Sequence, residues 1–199
     1  MNELEKRRIK TRMKYTWPFY LMSAVLLAFL MHIIFGIVHR TPNYKTLTLF
    51  VSGELVDDKK LTDDMLNKYQ SYDIKQFSCI AANPELGEYR SKLTVAGFNS
   101  ADVFIIHQSK LEDLEMSLFA FNINDELINS MYSGFSLYTQ NDINYGIKLD
   151  KEKVKDYMNL PNEDCYLLLN AKSSNLGIYS KDQVKEHDMA LNLLKEWGI

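Results

Sequence analysis

The sequence predicts an α/β fold: one membrane-spanning helix followed by a single three-layer α/β/α domain built on a mostly parallel sheet. Three observations carry this. A run of 22 residues without Asp, Glu, Lys or Arg, WPFYLMSAVLLAFLMHIIFGIV (17–38), follows a basic N-terminus. Beyond it, short β-branched or apolar runs alternate with segments of helical spacing. The third of those runs, ADVFIIH (101–107), is apolar almost throughout, as a strand buried on both faces must be.

The elements follow in order. At about 1.5 Å per residue the first run reaches about 33 Å as a helix, enough to cross a hydrocarbon core of about 30 Å. A cleaved signal would have a shorter apolar region followed by small residues of the A-x-A kind, and neither is present; no lipidation cysteine follows the run either. The run is therefore read as a retained anchor, with residues 1–16 as a cytoplasmic tail, 17–39 as the transmembrane helix and 40–199 as an extracytoplasmic domain. Lys6, Arg7, Arg8, Lys10, Arg12 and Lys14 precede the run, against Arg40 and Lys45 close behind it, which places the N-terminus inside. Trp17, Phe19 and Tyr20 suit the headgroup level, and Pro18 suits a first helical turn. Ala24, Ala28, His32 and Gly36 recur every four residues and form a candidate contact face for another membrane helix.

Residues 45–52, KTLTLFVS, read as a first strand ending at Gly53, and 57–69 as a helix with Thr62 as its cap. A second strand is expected over 74–82. A helix is expected from Pro84 to its stop at Gly97, then the third strand at 101–107. Residues 110–121 read as a helix, and 135–139 and 145–149 as short strands around the turn 141–144. A small helix over 151–158, a buried strand over 165–171 and a terminal helix over 181–197 complete the domain. Two helices between the first three strands make a βαβαβ unit with a 2-1-3 strand order.

Charge divides unevenly along this plan. The first 40 residues carry seven Lys and Arg against two Asp and Glu, and the remainder 16 against 24, a net −8. An acidic outer domain excludes nucleic acid as its partner, since that needs a basic footprint. The basic arm contacts the lipid bilayer. No Asn-x-Ser/Thr acceptor occurs, which fits a bacterial cell surface. In a 2-1-3 sheet Cys79 lies on an edge strand and Cys165 beyond strand three, at least about three spacings of roughly 4.8 Å away. Bridged Cα atoms lie within about 7 Å, so both thiols are expected to be free and buried.

Several segments resemble a known family. The stretches NPELGEYRSKLTVAGFNSADVFII, NDINYGIKL and CYLLLNAKSSNLG, in this order before a terminal helix, are similar to extracellular solute-binding proteins of ABC importers. The likeness rests on Ala101, Asp102 and Val103 at the head of a strand and on Tyr145, Gly146 and Ile147, with Lys148 where proline is common in the family. It implies one lobe of a periplasmic-binding-protein fold, a small-molecule solute and a membrane partner such as a transporter. The chain departs from the family in having length for one lobe and a helix in place of a lipid tether. Closure of two lobes on a solute is therefore not expected within it.

Ligands of open α/β sheets sit beyond the carboxyl ends of strands, at the point where strand order reverses. That places a candidate ligand site at Ser52 and Gly53, with Glu54, at Asn83, and at His107 and Gln108, with Ser109; the plain reading of these residues is turn and cap chemistry. No G-x-S-x-G, H-E-x-x-H, C-x-x-C or phosphate-binding glycine loop occurs, so no catalytic residue, metal site or cofactor is expected. The pairs Asp57-Asp58, Asp63-Asp64 and Glu163-Asp164 read as solvated helix ends, and residues 141–144 lack the oxygen spacing of a calcium loop. Two functions remain: a membrane-anchored binding or interaction module, and an assembly subunit that keeps the fold without a ligand.

Overall fold

A computed structural model describes residues 3–38, 41–72, 74–124 and 126–199. They fall into two compact units that divide after Arg40. The first is helix α1 (Glu3–Val38), which includes a stretch, Lys14–Val38, long and apolar enough to cross a membrane. The helix begins well before residue 17 because the arm ELEKRRIKTRMK is rich in strong helix formers. Pro18 consequently lies inside the helix, where it removes one backbone hydrogen bond, and not in a first turn. The expected end of the span at residue 39 lies outside the described residues. Ala24, Ala28, His32 and Gly36 fall on one side of α1 by their spacing, and a Cβ added at Gly36 would meet nothing within 4 Å.

The second unit contains, in order, β1 (Thr46–Ser52), β2 (Glu54–Leu55), α2 (Asp58–Lys68), β3 (Gln76–Ala82), α3 (Tyr89–Lys92), α4 (Phe98–Ser100), β4 (Val103–His107), α5 (Gln108–Leu111), α6 (Glu126–Met131), β5 (Leu137–Gln140), β6 (Ile143–Lys148), β7 (Met158–Asn159), β8 (Cys165–Leu169) and α7 (Met189–Trp197). The main sheet has the order β3-β1-β4-β8-β6-β5. Its first half is the expected 2-1-3 arrangement, with β3, β1 and β4 parallel. The ladders β4–β8, β8–β6 and β6–β5 are antiparallel, so four of the six strands run one way and β8 and β5 run against them. β2 and β7 form a separate two-stranded ribbon.

Alternation along the strands splits the core into two layers. Leu47, Leu49, Val51, Val103, Ile105, Leu167 and Leu169 point to one face, against Leu61, Met65, Leu194 and Trp197 of α2 and α7. Phe50, Phe104, Ile106 and Leu168 point to the other, against Tyr89, Leu93, Leu111, Met116 and Phe119. Both faces are buried, as the apolar third strand requires.

The helices differ from their expected bounds where a group outside the helix, side chain or backbone, supplies the hydrogen bond. Asp57, not Thr62, caps α2 by accepting the Lys60 N–H at 2.8 Å. Asn83 Oδ1 accepts from the Glu85 N–H at 2.9 Å and forms a turn, so the helix starts at Tyr89 and not at Pro84. It does not stop at Gly97: a π-helical stretch, Leu93–Gly97, continues into α4, and a Cβ at Gly97 would come within 3.2 Å of Phe50. Between 110 and 121 the Gln140 amide takes the Met116 N–H at 3.1 Å and donates to the Leu114 carbonyl at 3.0 Å, which reduces the expected helix to α5 and one short 3-10 turn. The expected helix over 151–158 is a 3-10 turn followed by β7. Residues 181–188 are not helical; Gln183 has φ +50° and the Ala190 N–H donates to the Asn175 carbonyl, so α7 begins at Met189. The β5–β6 turn uses only Asn141 and Asp142, both with positive φ, as a two-residue hairpin loop demands.

Both cysteines are free, with three strand spacings between β3 and β8. Cys165 is buried, whereas Cys79 on the edge strand is half-buried, a correction to the expectation of two buried thiols. Burial pushes the Cys79 thiol up to about 12 and the Cys165 thiol up to about 11.

Candidate functional site

The carboxyl ends of β1 and β4 meet at the point where strand order reverses. β1 ends in Ser52 and β4 in His107, and because the two strands are adjacent the Ser52 hydroxyl lies 2.9 Å from His107 Nδ1. Both are buried, Ser52 at 0 % and His107 at 2 % exposure. The other ring nitrogen, Nε2, faces Glu163 Oε1 at 3.7 Å. Glu163 in turn accepts the Ser109 hydroxyl at 2.9 Å and the Ser109 backbone N–H at 3.0 Å.

These distances set the protonation pattern. Burial lowers the His107 pKa against an opposing pull from Glu163, so the ring is neutral at pH 7. A carboxylate facing Nε2 selects the tautomer with its proton there, which leaves Nδ1 to accept the Ser52 O–H. Burial works to raise the Glu163 pKa, but the two Ser109 hydrogen bonds, His107 and Lys151 outweigh it, and the carboxyl lies below its ordinary value. The Tyr89 hydroxyl is buried near Ser52 without a hydrogen bond of normal geometry, and burial raises its pKa. Ser52 and His107 thus form a hydrogen-bonded pair at the strand ends, with Glu163 facing the ring from beyond hydrogen-bond length. Ser52 is sealed from solvent, so no substrate atom reaches its oxygen in this conformation.

Beside these strand ends runs the segment 160–164, between β7 and β8. Since β8 runs antiparallel to β4, its first residue Cys165 pairs with His107, and the connection leading into it crosses the ends of β1 and β4. The contact with Gly53 is close: a Cβ there would lie 2.7 Å from the Asn159 carbonyl and 3.1 Å from Leu160. Lys148 holds Asp164 at 2.7 Å, the Gln108 N–H donates to the Asp164 carbonyl at 2.8 Å, and Lys151 Nζ donates to the carbonyls of Pro161 and Glu163. Beside this strap an open cleft of about 370 Å³ is lined by Gly53, Glu54, Asn83, Glu85, Asn159 and Asn162, among others.

The sequence-derived residues therefore divide into three kinds. Ser52 and His107 are in contact but lie beneath the surface. Gly53 and Asn83 line the cleft, where Asn83 donates to Glu54 at 3.0 Å. Gln108 contributes through its backbone, and its side chain is exposed. Ser109 does not cap α5; it binds Glu163. Glu163 and Asp164 are not a solvated helix end, since both hold the strap, and Asp64 accepts the Tyr157 hydroxyl at 2.8 Å. The sequence signal for Glu163 was only its place just ahead of a strand.

A larger open cavity, about 630 Å³, lies at the amino end of β1 between Tyr44, Lys45, Tyr72 and residues 185–188. The rings of Tyr44 and His187 stack there at 4.1 Å, and their separation in sequence hides the pairing. Among the described residues no group of three or more His, Cys, Asp or Glu side chains is placed to hold a metal ion.

No protein-family profile, characterised protein or solved structure matches the chain. The resemblance to solute-binding proteins rests on the short motifs alone.

Proposed function

We propose that this chain is a single-pass membrane protein, N-terminus inside, whose helix holds an extracytoplasmic α/β binding module related to one lobe of a solute-binding protein. It works without catalysis, as an accessory to a membrane partner such as a transporter, and engages its ligand on the strand-end face around Gly53 and Asn83. The observation that carries this reading is an exposed apolar helix joined to a domain whose strand ends open into a cleft lined by amides and carboxylates. The basic arm supports the orientation, and the sealing of Ser52 supports a non-enzymatic role. That same sealing favours the second reading, an assembly subunit without a ligand.

Orientation is tested by a membrane-impermeant maleimide on intact cells that express single-cysteine variants. Ser117→Cys, on an exposed turn of the domain, is expected to label rapidly, and Glu5→Cys only after lysis. The native thiols give a slow background because burial raises both. The reverse pattern rejects the topology. Binding is tested by a metabolite thermal-shift screen on the full chain in detergent. A stabiliser lost in both Asn83→Ala and His107→Ala supports the module, whereas no stabiliser together with a co-purifying membrane protein supports the assembly subunit.

A further inference from the structure

The two edges of the main sheet are built differently. At one edge β5 has four residues, a register irregularity between Tyr138 and Thr139, and Gln140 bonded to the backbone at Leu114 and Met116. A short, bulged strand is a poor template for another strand. At the other edge β3 has seven residues in unbroken register with β1, and its run QFSCIAA holds no charge, proline or glycine. Ser78, Cys79, Ile80 and Ala81 are half-buried, where the residues paired with them in β1 are buried.

The backbone of β3 fixes which groups lie on the open edge. The Gly53 N–H donates to the Ala82 carbonyl at 3.0 Å, so Ala82 turns its polar groups towards β1, and alternation turns Ile80 and Ser78 the same way. Phe77, Cys79 and Ala81 therefore turn theirs outward, and among the described residues no group beyond β1 bonds to their backbone. In an antiparallel pair of two such strands each outward residue must face an outward residue. Full overlap of β3 with a second β3 meets that condition: Phe77 faces Ala81, Cys79 faces Cys79, and about six backbone hydrogen bonds form. Charge fits the same register. Lys75 and Glu85 are exposed, and Lys75 falls opposite Asn83 of the second copy, beside Glu85 in the turn that follows. A parallel pair would set Lys75 beside Lys75 instead.

We propose that the β3 edge is an interface for a second copy of this chain, paired antiparallel about a two-fold axis at Cys79, so that two six-stranded sheets become one. The contact is isologous and closes at two copies, since the β5 edge offers no second site for growth. A second copy is the occupant because the edge is complementary to itself in length, in backbone direction and in the placing of Lys75 and Glu85. The pairing needs neither the strand-end cleft nor a ligand in it.

The test uses the full chain in detergent, with its mass followed by light scattering across a dilution series. Wild type is expected to reach twice the mass of one chain. Ala81→Pro removes an outward N–H that the fold does not use and leaves the ladder to β1 intact, as proline on an edge strand allows. It should keep the fold and need at least about tenfold more protein to pair, since each dimer loses two hydrogen bonds. Should Ala81→Pro fail to fold, Ile80→Lys, which sets two like charges close to the two-fold axis, is measured in the same way. The register is read by oxidation with copper phenanthroline. Residues facing each other across a hydrogen-bonded antiparallel pair have Cα atoms about 5.5 Å apart, within disulfide range. A linked dimer is therefore expected in wild type and in Cys165→Ser, and none in Cys79→Ser. A wild-type monomer at every concentration, a dimer that the edge variant leaves equally tight, or a dimer without the Cys79 link each overturns the proposal.

Discussion

Phe104→Ala is expected to lower the stability of the α/β domain by about 3–5 kcal/mol. Phe104 lies in the middle of β4, fully buried, and meets Phe50 at 6.1 Å, Phe98 at 6.1 Å and Phe119 at 5.2 Å between ring centroids. The loss combines transfer of the ring from water with the void left behind, and that void closes poorly. β4 is paired on both sides, which fixes its backbone, and Gly97 already packs on the ring so closely that a Cβ there would come within 3.3 Å of it. A domain of this size has about 5–15 kcal/mol in total, so the variant is expected to approach the unfolding threshold at 37 °C. Chemical denaturation followed through the buried Trp197 measures the shift. Val95→Ala, at an exposed position, should change stability by no more than about 0.5 kcal/mol and serves as the control. An equal midpoint for the two variants would show that the second-face layer is not packed as described.

Asp102→Asn is expected to reverse the pH dependence of stability between about pH 4 and 6.5. Asp102, 8 % exposed, accepts the Thr48 N–H at 2.8 Å and the Ser173 hydroxyl at 2.5 Å, yet burial outweighs these bonds and raises its pKa from 3.8 to about 6. Between those values the folded chain keeps a proton that the unfolded chain has released, so stability falls as pH rises through the window. The full difference is about 3 kcal/mol, at about 1.4 kcal/mol per tenfold change in proton affinity. His107 works in the opposite direction. Its pKa is lowered in the fold, so below about 6.5 the unfolded chain takes up a proton first and stability falls with acid. With Asp102 intact the two slopes oppose each other. In Asp102→Asn the acid-destabilising slope of His107 remains, and the variant and wild type should be closest near pH 4 and differ most towards pH 7, where only wild type carries the cost of a buried ionised carboxylate. Parallel stability curves across pH 4–7 would rule out a raised Asp102.

Much of the fold was legible because it depends on local pattern. The apolar 22-residue run, the β-branched first strand and the apolar 101–107 segment need no partner to be recognised, and two helical crossovers make the first three strands parallel, in the 2-1-3 order that the sheet adopts. Helix ends were read less well. Asn83, Gln140 and Asn175 satisfy backbone groups that a helix would otherwise satisfy, and two of these three do so across long stretches of chain. The candidate site was legible at its floor, because strand ends at a reversal of order converge by topology, and Ser52 does meet His107.

By itself the sequence determined an α/β domain behind one membrane-competent helix, and the edge on which a site would form, since periodicity and strand order are properties of the chain read residue by residue. The tertiary structure decided what stands at that edge. Only the antiparallel insertion of β8 beside β4 brings residues 160–164 across the strand ends, lays Asn159 against Gly53 and delivers Glu163 to Ser109 and His107. Strand direction in the second half of the sheet comes from packing between distant segments, and no local pattern around Glu163 encodes it.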